Sequence, residues 1–207
     1  TVEDQEYVIT ELKSPDGYAT AEPVSFKTNK EQNITIKMTN TTVSLYAYSY
    51  REAKTYLIAA LFVLGNIAMP QLFHLMPKGG MIWLPIYFFT LVGAYKYGWR
   101  VGLLTAIASP IINSALFSMP QPAVVPAILI KSVLLAIAAG YVASKFQKVN
   151  IALLMGVVAF YQFFGSLAEW ALTGSAAAAL QDVRLAIPGI TLQILGGYIF
   201  IKYVLRK

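Results

Sequence analysis

The chain has 207 residues, of which 57% are hydrophobic and only 13% charged, with a formal net charge of +6. Soluble domains carry about 25% charged residues, so an ordinary soluble globular protein is excluded. The basic residues lie between apolar runs, which argues against nucleic acid as a partner, and the lack of cysteine excludes disulfides.

The charge divides at about residue 41. Residues 1–41 hold seven acids and four lysines, net −3, whereas residues 42–207 hold three acids and twelve Lys/Arg, net +9. Two domains are therefore expected: a short acidic polar segment, 1–41, and a basic membrane domain, 42–207.

The first segment reads as strands and turns. EYVITEL alternates, KSPDGY is a turn built on Pro15, Asp16 and Gly17, and EPVSFKT and NITIKM are further extended runs. The stretch YVITELKSPDGY resembles the late strands of Cna B-type domains of Gram-positive surface proteins. That resemblance implies that Glu11 corresponds to the glutamate promoting an isopeptide bond and Asn40 to its acceptor. The early strand and its lysine are missing, so this piece is expected to be appended to the membrane domain rather than to work with it.

From residue 42 the fold expected is all-α, with six transmembrane helices over about 55–72, 81–97, 99–118, 123–145, 150–172 and 186–204. A helix rises about 1.5 Å per residue, so roughly 20 residues cross a hydrocarbon core of about 30 Å. The hairpin from Thr55 to Trp99 is the clearest case, because two apolar runs flank the polar break HLMPKGG. Lys and Arg are distributed asymmetrically. Arg51, Lys54, Lys96, Arg100, Lys145, Lys148, Lys202, Arg206 and Lys207 fall on one side, Lys78 and Arg184 on the other. The bias places both termini of the membrane domain in the cytoplasm.

Polar residues inside the spans are the candidate functional groups, because lipid penalises them. Gln162, Ser166 and Glu169 share one face of the fifth span, beside Trp170. Lys131 is the base at mid-depth in the fourth span, and Ser109, Asn113 and Ser114 follow Pro110 in the third. Gln193 lies among Gly189, Gly196 and Gly197 in the sixth. His74 and Lys78 sit in the first loop, near Trp83. Each has a plainer reading. Lys131 and Glu169 also suit a simple ion pair, the glycines close helix packing, and Asn113 and Gln193 interhelical hydrogen bonding. The tryptophans suit interfacial anchors. A lone His without cysteine is a poor metal ligand set, so neither metal nor cofactor is expected.

No glycine-rich phosphate loop followed by Lys and Ser/Thr occurs, and no HExxH or Ser/His/Asp set, so ATP hydrolysis and hydrolase chemistry are not expected of this chain. Residues 45–205 resemble the substrate-binding S components of bacterial energy-coupling factor (ECF) transporters. The resemblance rests on LGNIAMPQLFHLMPKGGMIWLPIYFFTLVGAYKYGWRVGLLTAIASPIINSALF, YQFFGSLAEW and IPGITLQILGGY. It implies a bacterial plasma-membrane protein, not an enzyme, that captures a water-soluble vitamin or related micronutrient at the outer face. A transmembrane T component and two ATPase subunits would then drive uptake. It implies a pocket of Asn113, Lys131, Gln162, Glu169, Trp170 and Gln193, lidded by residues 72–83 with His74 and Trp83. It also implies a coupling surface of small residues on the first helix, here Ala53, Ala59, Ala60 and Gly65, although no strict AxxxA occurs. The alternatives are a membrane-embedded assembly or structural protein and a small membrane enzyme.

Overall fold

A computed structural model describes residues 6–12, 23–27 and 45–205. At the N-terminus, β1 (Glu6–Ile9) and β2 (Val24–Lys27) pair antiparallel, with Tyr7 opposite Phe26 and their rings stacked at 5.7 Å. Both strands fall within expected extended runs. The KSPDGY turn, the NITIKM run and Asn40 lie outside the described residues.

The rest is helical. The helices are α1 (Ala53–Phe73), α2 (Gly79–Trp83), α3 (Phe88–Tyr97), α4 (Trp99–Phe117), α5 (Val125–Phe146), α6 (Ile151–Thr173), α7 (Ala176–Leu185) and α8 (Ile187–Val204). Five of these, α1, α4, α5, α6 and α8, are long and apolar enough to cross a membrane. Their apolar residues cover outward as well as inward faces: on α1, Leu57 is 72% and Leu64 61% exposed. This is the build of a multi-pass membrane protein, whose outer surface meets lipid rather than water.

Local chemistry sets the boundaries. The Asn150 side chain accepts the Ala152 N–H at 2.8 Å and starts α6. Gly174 ends it in the left-handed region, φ 69°, which glycine adopts without a Cβ clash. Gly98, at φ 100°, turns the chain between α3 and α4, where Tyr46 and Ala47 press against it.

The second expected span, 81–97, is not one continuous helix. It comprises α2, a left-handed Leu84, a 3₁₀ turn at Pro85–Tyr87, and the ten-residue α3. α3 runs through the middle of the bundle, among α1, α4, α5 and α8, and Leu91, Val92, Ala94 and Tyr95 have no exposed surface. Irregular backbone is tolerated at membrane depth when protein rather than lipid surrounds it. A second difference is α7. The stretch TGSAAAALQDVR, which lies between the fifth and sixth expected spans, is helical from Ala176. An alanine-rich run without glycine or proline has high helix propensity.

A polar lattice locks α1, α3 and α4 together. Pro70 lies inside α1 and has no N–H for the Asn66 carbonyl four residues back. Asn113 of α4 supplies the missing donor: its Nδ2 reaches Asn66 O at 3.0 Å and Ser109 O at 3.0 Å. The Asn66 side chain in turn donates to Thr90 Oγ1 and Ser109 Oγ, both at 3.1 Å. Its Oδ1 accepts the Phe89 N–H at 3.1 Å, capping the start of α3. All four polar side chains are fully buried.

The opposite ends of these helices form a basic aromatic collar. Tyr46 N donates to Lys96 O at 2.8 Å, and the rings of Tyr46, Tyr48 and Tyr97 stack at 5.3–6.0 Å. Arg100 lies 4.7 Å from the Trp99 ring, and Tyr95 OH donates to Lys148 O at 2.8 Å, tying the α5–α6 turn to α3.

The lattice can be tested in detergent by thermal unfolding. Asn113→Ala orphans the Asn66 carbonyl and is expected to destabilise by about 1–3 kcal/mol. Pro70→Ala restores the N–H that carbonyl lacks, so the double variant is expected to recover part of the loss; simple additivity would contradict the assignment.

Candidate functional site

The candidate site lies toward the end of the bundle away from the collar. α5 and α6 run antiparallel, which brings Lys131, in the second turn of α5, against Glu169, near the end of α6. Lys131 Nζ pairs directly with Glu169 Oε2, and the two side chains are 9% and 13% exposed. Gly165, one turn before Glu169, makes the pairing feasible. A Cβ there would fall 2.5 Å from Lys131 Cγ, so only a hydrogen leaves room for the lysine stem.

Gln162, Ser166 and Trp170 occupy the neighbouring stripe of α6. They line a cavity of about 480 Å³ closed on its other side by α7, through Ala176, Ala179 and Val183. Phe163 and Leu167 complete much of the wall. Ser166 Oγ is buried and has no hydrogen-bond partner among the described residues. Gln162 Nε2 donates to Tyr161 OH at 3.1 Å, and Tyr161 OH donates to Gln193 Oε1 of α8 at 2.8 Å. Gln193 is fully buried behind Gln162, and its Nε2 has no partner among the described residues.

The structure thus brings Gln162 and Trp170 onto one cavity, with Gln193 behind them and the Lys131–Glu169 pair beside them. Neither member of the pair lines the cavity. Asn113 is elsewhere, in the α1–α3–α4 lattice, where it serves the backbone. Trp83 stacks on Phe73 at 5.5 Å, and its backbone lies against α8 at Gly189, where a Cβ would come within 2.6 Å of Trp83 O. His74 is exposed, next to Gly80. The 74–84 connection therefore reaches the cavity indirectly, through contacts of α2 with α7 and α8.

The four small residues of α1 do not share a face. Ala53 and Ala60, seven apart, are exposed; Ala59 is buried, and Gly65 abuts the Phe89 ring. A step of one residue turns a helix by about 100°, so Ala59 and Ala60 cannot both face outward.

Tyr161 and the α7 wall were not among the expected site residues. Tyr161 sits in an apolar run and reads there as core; only the tertiary contact with Gln193 reveals its polar end. The α7 residues are alanine and valine, with no chemical signal of their own.

Comparisons with protein families, with curated proteins and with solved structures found no match to this chain.

The ion pair should behave as a unit. Lys131→Met or Glu169→Gln alone leaves one partly buried charge uncompensated and is expected to cost up to about 3 kcal/mol. Lys131→Met with Glu169→Leu should cost less than either single change. A double-mutant cycle read by thermal unfolding checks the coupling.

Proposed function

We propose that this protein is the substrate-capturing component of an ECF-type importer in a bacterial plasma membrane. The carrying observation is the cavity at Gln162, Ser166 and Trp170, beside the Lys131–Glu169 pair. Its volume falls within the range of small-molecule sites, and its lining combines apolar walls with a few polar groups, the usual composition of such sites. The ligand is a water-soluble vitamin or related micronutrient. The indole of Trp170 stacks on it, and Gln162 and Ser166 meet its polar edges. Gln193 and Tyr161 hold Gln162 in place, and the Lys131–Glu169 pair braces the α5–α6 wall.

In this reading the collar faces the cytoplasm, consistent with the excess of Lys and Arg there, and the cavity opens toward the outer side. Residues 81–97 count as the sixth crossing, completed by protein-enclosed backbone. The exposed face of α1 carrying Ala53 and Ala60 meets the T component, and two ATPase subunits supply the energy.

Two measurements test the reading. A vitamin panel screened by thermal shift should yield a compound that stabilises the purified full chain, by about 2.7 kcal/mol at a hundredfold excess over Kd. Trp170→Ala and Gln162→Ala should reduce that shift. Because the chain contains no cysteine, Lys78→Cys gives a single label site. A membrane-impermeant maleimide should label it in intact cells; labelling only after permeabilisation would overturn the orientation.

A further inference from the structure

The charge of the cargo can be read from the cavity, given the capture function proposed above. We infer that the site takes an uncharged ring compound with one or two hydrogen-bonding edges, and that it discriminates against close analogues bearing a carboxylate, phosphate or fixed positive charge.

Three observations carry this. First, among the described residues no charged side chain lines the cavity; its polar groups are Gln162 and Ser166, and the rest are apolar or aromatic. Second, the ion pair beside the cavity, Lys131 with Glu169, is committed to itself. Lys131 Nζ is paired with Glu169 Oε2, and Gly165 guides the lysine stem across α6 so that the ammonium ends on the carboxylate. Third, the Ser166 hydroxyl is neutral, is able to donate or accept one hydrogen bond, and has no partner among the described residues.

The energetics follow. Among the described lining residues an ionised group would meet no counter-ion to replace the hydration it loses, a large penalty in a medium of low dielectric. A ligand carboxylate could recruit Lys131 only by drawing it from Glu169, which would leave that carboxylate partly buried and uncompensated. A cation would face the converse problem with Lys131. A neutral ring meets neither difficulty. It gains burial against Trp170, Phe163 and Leu167, and its edge meets the Gln162 amide.

The experiment uses matched pairs on the purified chain in detergent: nicotinamide against nicotinate and 1-methylnicotinamide, riboflavin against its 5′-phosphate, and pyridoxine against pyridoxine 5′-phosphate. Binding is read by thermal shift and by equilibrium dialysis. At least one neutral member is expected to bind, with its charged counterpart at least about tenfold weaker, since the charged group finds no partner in the cavity. The variant combining Lys131→Met with Glu169→Leu should retain the neutral preference, because the pair does not touch the ligand. Charged members binding as tightly as their neutral counterparts would overturn the inference while leaving capture intact. So would a charged preference that the double variant abolishes. If no member of any pair binds, this inference and the capture reading fall together.

Discussion

The structure depends on one missing hydrogen. Pro70 deprives the Asn66 carbonyl of its helical donor at a fully buried position, away from water that could replace it. Asn113 crosses from α4 to provide it, and Asn66, held in register by that bond, caps α3 and reaches Thr90 and Ser109. Four buried side chains thereby fix three helices against one another. Hydrophobic burial cannot do this alone inside a bilayer, because lipid tails are as apolar as the side chains they would replace. The polar lattice supplies the specificity that an apolar contact lacks.

With α1 and α4 clamped to its start, α3 occupies the bundle centre. Its burial explains why the chain tolerates a left-handed Leu84 and a 3₁₀ turn where a regular helix is expected. The same arrangement organises the two ends differently. At the collar, Lys148 O accepts from Tyr95 OH and the tyrosine stack packs residues 46–48 against the end of α3. At the far end, α2 leans on α7 and α8, leaving α6 to form one wall of a cavity whose opposite wall is α7.

The Lys131–Glu169 pair and the cavity are neighbours with separate duties. The pair joins α5 to α6 at a point where Gly165 removes the obstacle to contact. The cavity is next to it, and among the described residues its lining is apolar or aromatic apart from an amide and a hydroxyl. This separation turns two isolated charges from presumed ligand groups into a brace, and it gives the proposed capture site a neutral character.

The five long helices were legible in the chain, each within about two residues, because apolar length and Pro, Gly or charged breaks are local properties that lipid enforces directly. Gln162, Ser166 and Glu169 were read as one face with Trp170 alongside, since residues four apart in a helix share a face; in the structure Gln162, Ser166 and Trp170 line the cavity while Glu169 turns to Lys131. The pairing of Lys131 with Glu169 was visible as one of two readings. The fate of Asn113 was not, because its partner is a carbonyl freed by a proline 43 residues earlier in the sequence. Nor could the broken path of 81–97 be foreseen: an apolar run looks the same whether lipid or protein surrounds it, and that distinction alone decides whether it must be a regular helix. Composition and spacing determined that this chain crosses a membrane and where its polar groups lie along each helix. Packing decided which of those groups serve the backbone, which serve each other, and which are left facing a cavity, because each outcome depends on partners from distant parts of the chain.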